Sequence, residues 1–143
     1  MIKAEDLRIG DLVKVRGNYF FEEGEICKVE AVDTCSYGKK IEGGYIMLKG
    51  LNWSELSVGH YKDYREIDPI TLTPEILEKN GWKRDKLVPY IYGHEAHYIE
   101  VICTPNSEWV DVTFKGDTLH RIKYAHELQH ILWALGKDAN LKI

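Results

Sequence analysis

The first half of the chain carries short runs in which apolar and polar residues alternate. Residues 11–16 (Asp-Leu-Val-Lys-Val-Arg), 25–32 and 45–49 are the three clearest runs. A period of two places alternate side chains on one face, so each run predicts a strand with one buried face. Glycine and aspartate close the runs, as turn residues do. Short strands at this spacing are typical of a small SH3-like β-barrel.

The second half begins with a helix signal. Thr73 is a favourable N-cap, Pro74 suits the first helical position, and Glu75 lies beside the positive end of the helix. The helix is expected to end at Gly81. Three strands are predicted to follow at residues 87–92, 98–103 and 109–114, and then a long amphipathic helix over residues 119–135.

These elements predict an α+β protein with two parts. Residues 1–68 form the SH3-like β unit, and residues 69–143 form an α-β-β-β-α unit. Each half of about 70 residues buries little surface alone, so the halves are expected to pack against each other. The pattern of residues 51–68 does not decide between a helical turn and an edge strand.

Composition narrows the function classes. Hydrophobic residues make up 44% and charged residues 29%, which fits a folded globular chain. The net charge of −4 argues against a dominant nucleic-acid role, although it permits a local basic patch. No apolar stretch reaches membrane-spanning length, and the charged start lacks the apolar run of a signal peptide. The three cysteines form no C-x-x-C pair, as expected for reduced thiols in a cytoplasmic protein.

Three blocks of sequence resemble a known family. They are residues 7–11 (Leu-Arg-Ile-Gly-Asp), residues 69–77 (Pro-Ile-Thr-Leu-Thr-Pro-Glu-Ile-Leu), and residues 122–129 with 134–137. In this order they resemble small uncharacterised proteins encoded by gut anaerobes and their phages or mobile elements. The resemblance spans nearly the whole chain and implies no activity, cofactor or catalytic residue. In that family the position of Glu127 is often Gln and that of His130 is often Asn. The resemblance therefore implies that the helix does not need these two residues for its role in the family.

Residues 126–130 read His-Glu-Leu-Gln-His, the H-E-x-x-H motif of zinc hydrolases. On a helix, His126 and His130 share a face and can bind Zn²⁺, with Glu127 as the base for bound water. A catalytic zinc needs a third protein ligand, and the metzincin extension would require Gly in place of Trp133 and His in place of Gly136. An upstream ligand would have to come from His94, Glu95, His97 or His120.

The apolar pattern of this helix points the two histidines away from the core. The stripe predicted to face the core consists of Ala125, Leu128, Leu132 and Leu135. At about 100° per residue, His126 lies about 160° from Leu128. We therefore expect His126 and His130 on the outer face without a stoichiometric metal, and Glu127 as an ordinary surface carboxylate. Exposure of Trp133 on that side would be costly, so coverage by the strands or by a second subunit in a homo-oligomer is the alternative.

Two further groups of residues are candidates for binding. His94 and His97 flank Glu95 in a predicted exposed turn, which could hold a metal adventitiously. Tyr37 precedes Lys39 and Lys40 at a predicted loop tip, and an aromatic beside cations suits a base, a nucleotide or a partner surface. The triplet at residues 19–21 (Tyr-Phe-Phe) follows a turn, and the alternative for most aromatics is that they fill the core.

The chain lacks a Walker loop, a G-x-S-x-G elbow and a dinucleotide fingerprint. We therefore expect a non-enzymatic binding or adaptor protein that needs no cofactor. Its partner would be a host protein or a signalling nucleotide, by analogy with small phage proteins. Two alternatives stay open: a nucleic-acid-binding accessory protein, and a zinc-dependent hydrolase that uses the motif at residues 126–130.

Overall fold

A computed structural model describes residue 2 and residues 4–36, 39–54 and 59–143, apart from the side chains of residues 4, 34–36, 39–43 and 64. The chain divides into two compact units, Met1–Ile70 (unit 1) and Thr71–Ile143 (unit 2). Each unit is built on a five-stranded antiparallel sheet, and the two described α-helices belong to unit 2, so the protein is of the α+β class. No helix in the described part of the chain is long and apolar enough to cross a membrane.

Unit 1 is an antiparallel sheet with the strand order β4-β3-β2-β1-β5. Its strands are β1 (Leu12–Val15), β2 (Ile26–Ser36), β3 (Lys39–Gly50), β4 (His60–Asp63) and β5 (Ile67–Pro69). Short 3-10 helices occupy Ala4–Asp6 and Tyr64–Glu66. The three strands predicted from alternation are confirmed, and β4, the second 3-10 helix and β5 occupy the later part of the segment that the pattern left undecided, from residue 60 onward.

The core of unit 1 is the inner face of this sheet. Val13 pairs across the sheet with Cys27 on one side and with Pro69 on the other. Lys14 points to solvent while both of its neighbours are buried, as the alternation predicts. The buried cluster contains Ile2, Leu7, Val13, Val15, Phe21, Cys27, Val29, Ile46, Leu48 and Ile67.

Unit 2 has a second sheet with the strand order β10-β9-β8-β7-β6. Its strands are β6 (Lys83–Arg84), β7 (Ile91–Gly93), β8 (Glu100–Ile102), β9 (Val110–Phe114) and β10 (Asp117–Ile122), and its helices are α1 (Pro74–Lys79) and α2 (Ala125–Ala134). The predicted start of α1 is confirmed, because Thr73 caps it by accepting a hydrogen bond from the Ile76 amide at 3.4 Å.

The order α-β-β-β-α predicted for unit 2 is wrong, because two further strands, β6 and β10, flank the three predicted ones. Residues 119–122 belong to β10, because Lys115 and Gly116 both adopt positive φ (52° and 87°) and form a two-residue hairpin loop between β9 and β10. The helix therefore begins only at Ala125. The strand predicted to start at residue 87 starts at Ile91, because the Asp85 carboxylate holds the preceding residues in a turn.

Candidate functional site

The H-E-x-x-H motif lies on α2, and its first histidine is buried. His126 is 4% exposed, stacks on Tyr124 with 5.8 Å between ring centroids, and meets His130 edge to face at 5.7 Å. The prediction that His126 faces outward is therefore wrong. The buried arc of the helix extends beyond the apolar stripe to Gln129, whose Nε2 donates to the Ala139 carbonyl of the C-terminal segment.

The Glu127 carboxylate accepts hydrogen bonds from the backbone just before α2. Its Oε2 accepts hydrogen bonds from the backbone amides of Lys123 and Tyr124, both at 2.8 Å. This carboxylate reaches back to cap the helix, as the acid of a capping box does. It is half-buried and structural, which corrects the expectation of an ordinary surface carboxylate.

Removing this cap should weaken unit 2. We expect Glu127→Ala to lower the free energy of unfolding by about 1–2 kcal/mol, because two backbone donors lose their acceptor. Glu127→Gln keeps one acceptor oxygen and should lose less. Urea unfolding followed by circular dichroism measures both values. Equal stability of the wild-type and Glu127→Ala proteins would contradict the capping role.

The described residues do not assemble a metal centre around the motif. Among them, no group of three or more His, Cys, Asp or Glu side chains is placed to hold a metal ion. Glu95, one of the upstream candidates, pairs with Lys83 at 2.7 Å, and His120 lies exposed on β10. A catalytic zinc requires three protein ligands. Within the described residues, the structure therefore brings no third ligand to His126 and His130.

The turn between β7 and β8 brings His94 and His97 together. Their rings stack with 4.0 Å between centroids, and Trp82 packs against them at 5.4 and 5.5 Å. The His97 amide donates to the His94 carbonyl, and the Ala96 amide donates to His94 Nδ1, both at 3.1 Å. The prediction of an exposed turn holds for Glu95 and is wrong for His97, because His97 is buried against Trp82.

Two cysteines can be judged as nucleophiles. Cys27 and Cys103 are free thiols. Burial raises the pKa of Cys27 to about 12 and that of Cys103 to about 11. Both are therefore protonated near neutral pH and react poorly, since the thiolate is the nucleophile. The side chain of Cys35 lies outside the described residues.

The binding residues predicted from the sequence fall largely outside the description. Tyr37 is not among the described residues, and neither are the side chains of Lys39 and Lys40. The backbone of Lys39 and Lys40 begins β3 and pairs with Ser36 and Cys35 of β2.

A different surface stands out in unit 1. The loop between β1 and β2, residues 16–25, is named here the aromatic loop. Tyr19 is 95% exposed and Phe20 is 53% exposed, whereas Phe21 is 3% exposed and belongs to the core. Two neighbouring aromatic side chains thus project into solvent from a loop whose third aromatic is anchored.

Hydrogen bonds fix the backbone of the aromatic loop. Asn18 Oδ1 accepts from the amides of Phe20 (2.9 Å) and Phe21 (3.2 Å), and the Asn18 amide donates to the Phe21 carbonyl at 2.9 Å. The Gly17 amide donates to Glu23 Oε2 at 2.6 Å. A Cβ at position 17 would lie 2.8 Å from the Glu23 nitrogen, so this close approach requires glycine.

Ring contacts fix the side chains. Phe20 stacks on His60 with 4.1 Å between centroids and 15° between planes, which leaves its other face towards solvent. Phe21 stacks on Trp53 at 5.1 Å, and Trp53 meets His60 edge to face at 5.7 Å. We call these five rings (Tyr19, Phe20, Phe21, Trp53 and His60) the aromatic cluster.

The charges of the aromatic loop are mainly negative. Glu22, Glu23 and Glu25 follow the aromatic residues directly. Arg16, the one cation of the loop sequence, forms a bidentate pair with Asp68 of β5 at 3.1–3.2 Å. That pairing raises the pKa of Arg16 and uses its charge inside unit 1. Glu23 makes a smaller contribution to the raised pKa of Arg16, and with three acids to one cation the loop keeps an excess of negative charge.

Sequence reasoning noted residues 19–21 but missed their partners. Trp53 and His60 lie in the segment whose pattern was undecided, and their contacts with the loop span more than 30 positions. The available signal was Asn18 after Gly17, since an Asx turn followed by aromatics fixes a loop locally. No local sequence pattern predicts the contacts of Phe20 with His60 and of Phe21 with Trp53.

Unit 2 offers two shallow cavities. One, of about 430 Å³, is lined by residues that include Cys103, Asn106, Trp109 and Lys123. Lys123 pairs there with Glu108 at 2.7 Å. The other, of about 520 Å³, is lined by residues that include His94, Tyr98, Glu100 and Phe114.

Comparison of the chain with models of protein families, with curated proteins and with solved structures found no match in any of the three.

Proposed function

We propose that the protein is a non-enzymatic binding module that engages a basic segment of a partner protein through the aromatic loop. The observation that carries this proposal is the exposed pair Tyr19 and Phe20. Phe20 is held by the hydrogen bond from its amide to Asn18 and by its stack on His60, and Tyr19 meets the Phe20 ring edge to face at 5.3 Å. Ordering a side chain on binding costs free energy, and a side chain that is already fixed avoids much of that cost. Rigid, exposed aromatics are the usual anchors of protein interfaces.

The charge of the loop favours one class of partner over another. A guanidinium or ammonium group gains from the face of an aromatic ring and from nearby carboxylates, which Glu22 and Glu23 supply. The phosphate of a nucleotide would be repelled by the same carboxylates, although the base of that nucleotide could stack on Phe20. The loop therefore favours a peptide with Arg or Lys over the signalling nucleotide or nucleic acid that the sequence left open.

The proposal includes an SH3-like barrel for unit 1. The strand order β4-β3-β2-β1-β5, the pairing of β1 with both β2 and β5, and a 3-10 helix just before β5 support this assignment. In such a small barrel, loops between strands carry the binding residues on a stable sheet. The aromatic loop joins β1 to β2 and is therefore one of the loops that would carry binding residues in such a barrel.

The resemblance to proteins of gut anaerobes and their phages extends the proposal. A protein of phage or mobile-element origin that binds a host protein would need a rigid recognition surface and no catalytic centre. The aromatic loop supplies the first of these. The protonated thiols of Cys27 and Cys103 and the capping role of Glu127 agree with a module that works by binding.

A panel of labelled peptides tests the proposal. Peptides of equal length, in basic, neutral and acidic versions, are titrated against the protein by fluorescence anisotropy. We expect the basic peptides to bind, and the double variant Tyr19→Ala/Phe20→Ala to lose about 30- to 1,000-fold in affinity, since interface aromatics are each worth about 1–2 kcal/mol.

The matched control is Tyr61→Ala, which removes an exposed tyrosine from β4 in the same unit. This variant should bind as the wild type does. Equal binding of basic and acidic peptides, or full binding by the double variant, would refute the proposal. Thermal unfolding of both variants verifies that the fold is intact.

A further inference from the structure

His94 and His97 form the most closely placed pair of titratable rings among the described residues of unit 2. Their centroids are 4.0 Å apart and their planes are 27° apart, so the rings lie face to face. Two positive charges at this distance repel each other, and Trp82 on the buried side offers no acceptor for an added proton. The stack is therefore built for neutral imidazoles.

The hydrogen bonds of the turn lead to the same conclusion. His94 Nδ1 accepts from the Ala96 amide, so a proton added at that nitrogen breaks a bond that shapes the turn. His97 Nδ1 is buried and has no hydrogen-bond partner among the described residues. A proton added there would become a buried donor without an acceptor, which is costly.

We propose that the turn formed by residues 94–97 is a proton-sensitive latch, closed when both imidazoles are neutral and opened when the pair takes up protons. The latch borders the cavity of about 520 Å³ that His94, Glu95 and Tyr98 help to line. Opening the turn would move these residues and change the shape of that cavity. This inference does not depend on the function proposed for the aromatic loop.

The groups around the latch on balance disfavour a proton on His97. Burial and the charges of His94 and Lys137 lower the pKa of His97, and Asp138 opposes them. The Asp138 carboxylate is also held by two hydrogen bonds from Asn140, so it is only partly available to a cation. On the other side, Glu95 is paired first with Lys83, and its interaction with the charge of His94 is the smaller one.

The sign of the pH dependence follows from the lowered pKa. In the open turn His97 binds a proton with the ordinary histidine pKa of about 6.5, whereas in the closed turn it does so only at lower pH. The closed state is therefore fully favoured above about pH 6.5 and is lost as the pH falls towards the lowered pKa of His97. One proton taken up only by the open turn raises its population by up to about tenfold per pH unit.

Residue-resolved NMR between pH 7.5 and 5.0 tests the latch. Hydrogen exchange at the Ala96 and His97 amides, corrected for intrinsic exchange, should accelerate by about three- to tenfold per pH unit below about pH 6. The Val112 amide in β9 serves as the reference and should not accelerate. The ring signals of His97 should titrate below the ordinary histidine pKa of about 6.5.

Three variants sharpen the test. His97→Phe keeps a ring against Trp82 and removes one of the two proton acceptors, so the acceleration should weaken, and the double variant His94→Phe/His97→Phe should abolish the pH dependence. His120→Gln removes a histidine elsewhere in unit 2 and should leave the response unchanged. Protonation of wild-type His97 without faster exchange at Ala96, or an unchanged response in His97→Phe, would overturn the proposal. If His97→Phe does not fold, the wild-type titration alone decides.

Discussion

Phe21→Ala is expected to lower the free energy of unfolding by about 3–5 kcal/mol, the usual cost of truncating a buried phenylalanine. Phe21 is buried in the core of unit 1, where it packs with Val13, Cys27 and Leu48 in one cluster. Its ring also stacks on Trp53, so truncation leaves a cavity and removes an aromatic pair. Close packing elsewhere in the cluster limits how far the cavity can collapse.

The adjacent substitution provides the control. Phe20→Ala should lower the free energy of unfolding by less than about 1.5 kcal/mol, because its main contact is the stack on His60. The two neighbouring phenylalanines are thus expected to differ: Phe21 stabilises unit 1, and Phe20 is the residue proposed to contact the partner. Urea unfolding followed through the NMR signals of β1 and β2 measures both values. Similar losses for the two variants would contradict this division.

Lys62→Met is expected to raise the free energy of unfolding by about 1–3 kcal/mol, because the variant no longer buries a charge. Lys62 is 3% exposed, and its ammonium makes no hydrogen bond of good geometry with any described residue. It lies 3.1 Å from Glu66 Oε2 and 5.7 Å from the centre of the Phe21 ring. Glu66 is half exposed and stays hydrated when the lysine is replaced.

Substitution of Glu66, the partner of Lys62, should change the free energy of unfolding in the opposite direction. Glu66→Gln leaves the buried ammonium of Lys62 without its counter-charge and should lower the free energy of unfolding by about 1–3 kcal/mol. Urea unfolding of the two single variants gives both signs directly. A destabilised Lys62→Met protein would show that the ion pair is itself a source of stability.

The position of Lys62 suggests why a destabilising residue is kept. It points inward from β4, which is an edge strand of the unit 1 sheet. Inward charges on edge strands hinder pairing with another chain. Lys62→Met should therefore be more stable and yet associate at lower protein concentration, which sedimentation velocity detects.

Much of the secondary structure could be predicted because its signals are local. The alternation around Val13 and Val15 reports one buried face, and the sequence Thr73-Pro74-Glu75 starts a helix wherever it can form. The start of α2 could not be predicted in the same way. Residues 117–122 carry apolar side chains at a spacing that also fits a helix. They form a strand because the Lys115–Gly116 hairpin loop turns the chain back so that these residues pair with β9.

The candidate site was harder to predict because it depends on distant contacts. The burial of His126 belongs to a wide buried arc on α2, next to which the C-terminal segment binds Gln129. Trp133, on the same side, is 66% exposed, although the sequence analysis expected its exposure to be costly. In unit 1, the stack of Phe20 on His60 joins the aromatic loop to the start of β4, and no local pattern connects the two.

The position of the binding surface is the central claim, and amide chemical-shift mapping with a basic peptide tests it most directly. The claim predicts that saturating peptide perturbs the amides of residues 17–25, the Trp53 indole and the His60 ring, and leaves unit 2 unchanged. Perturbations centred on Trp109 or on Tyr98 in the cavities of unit 2 would contradict it. So would a spectrum in which the aromatic loop does not respond to a peptide that binds.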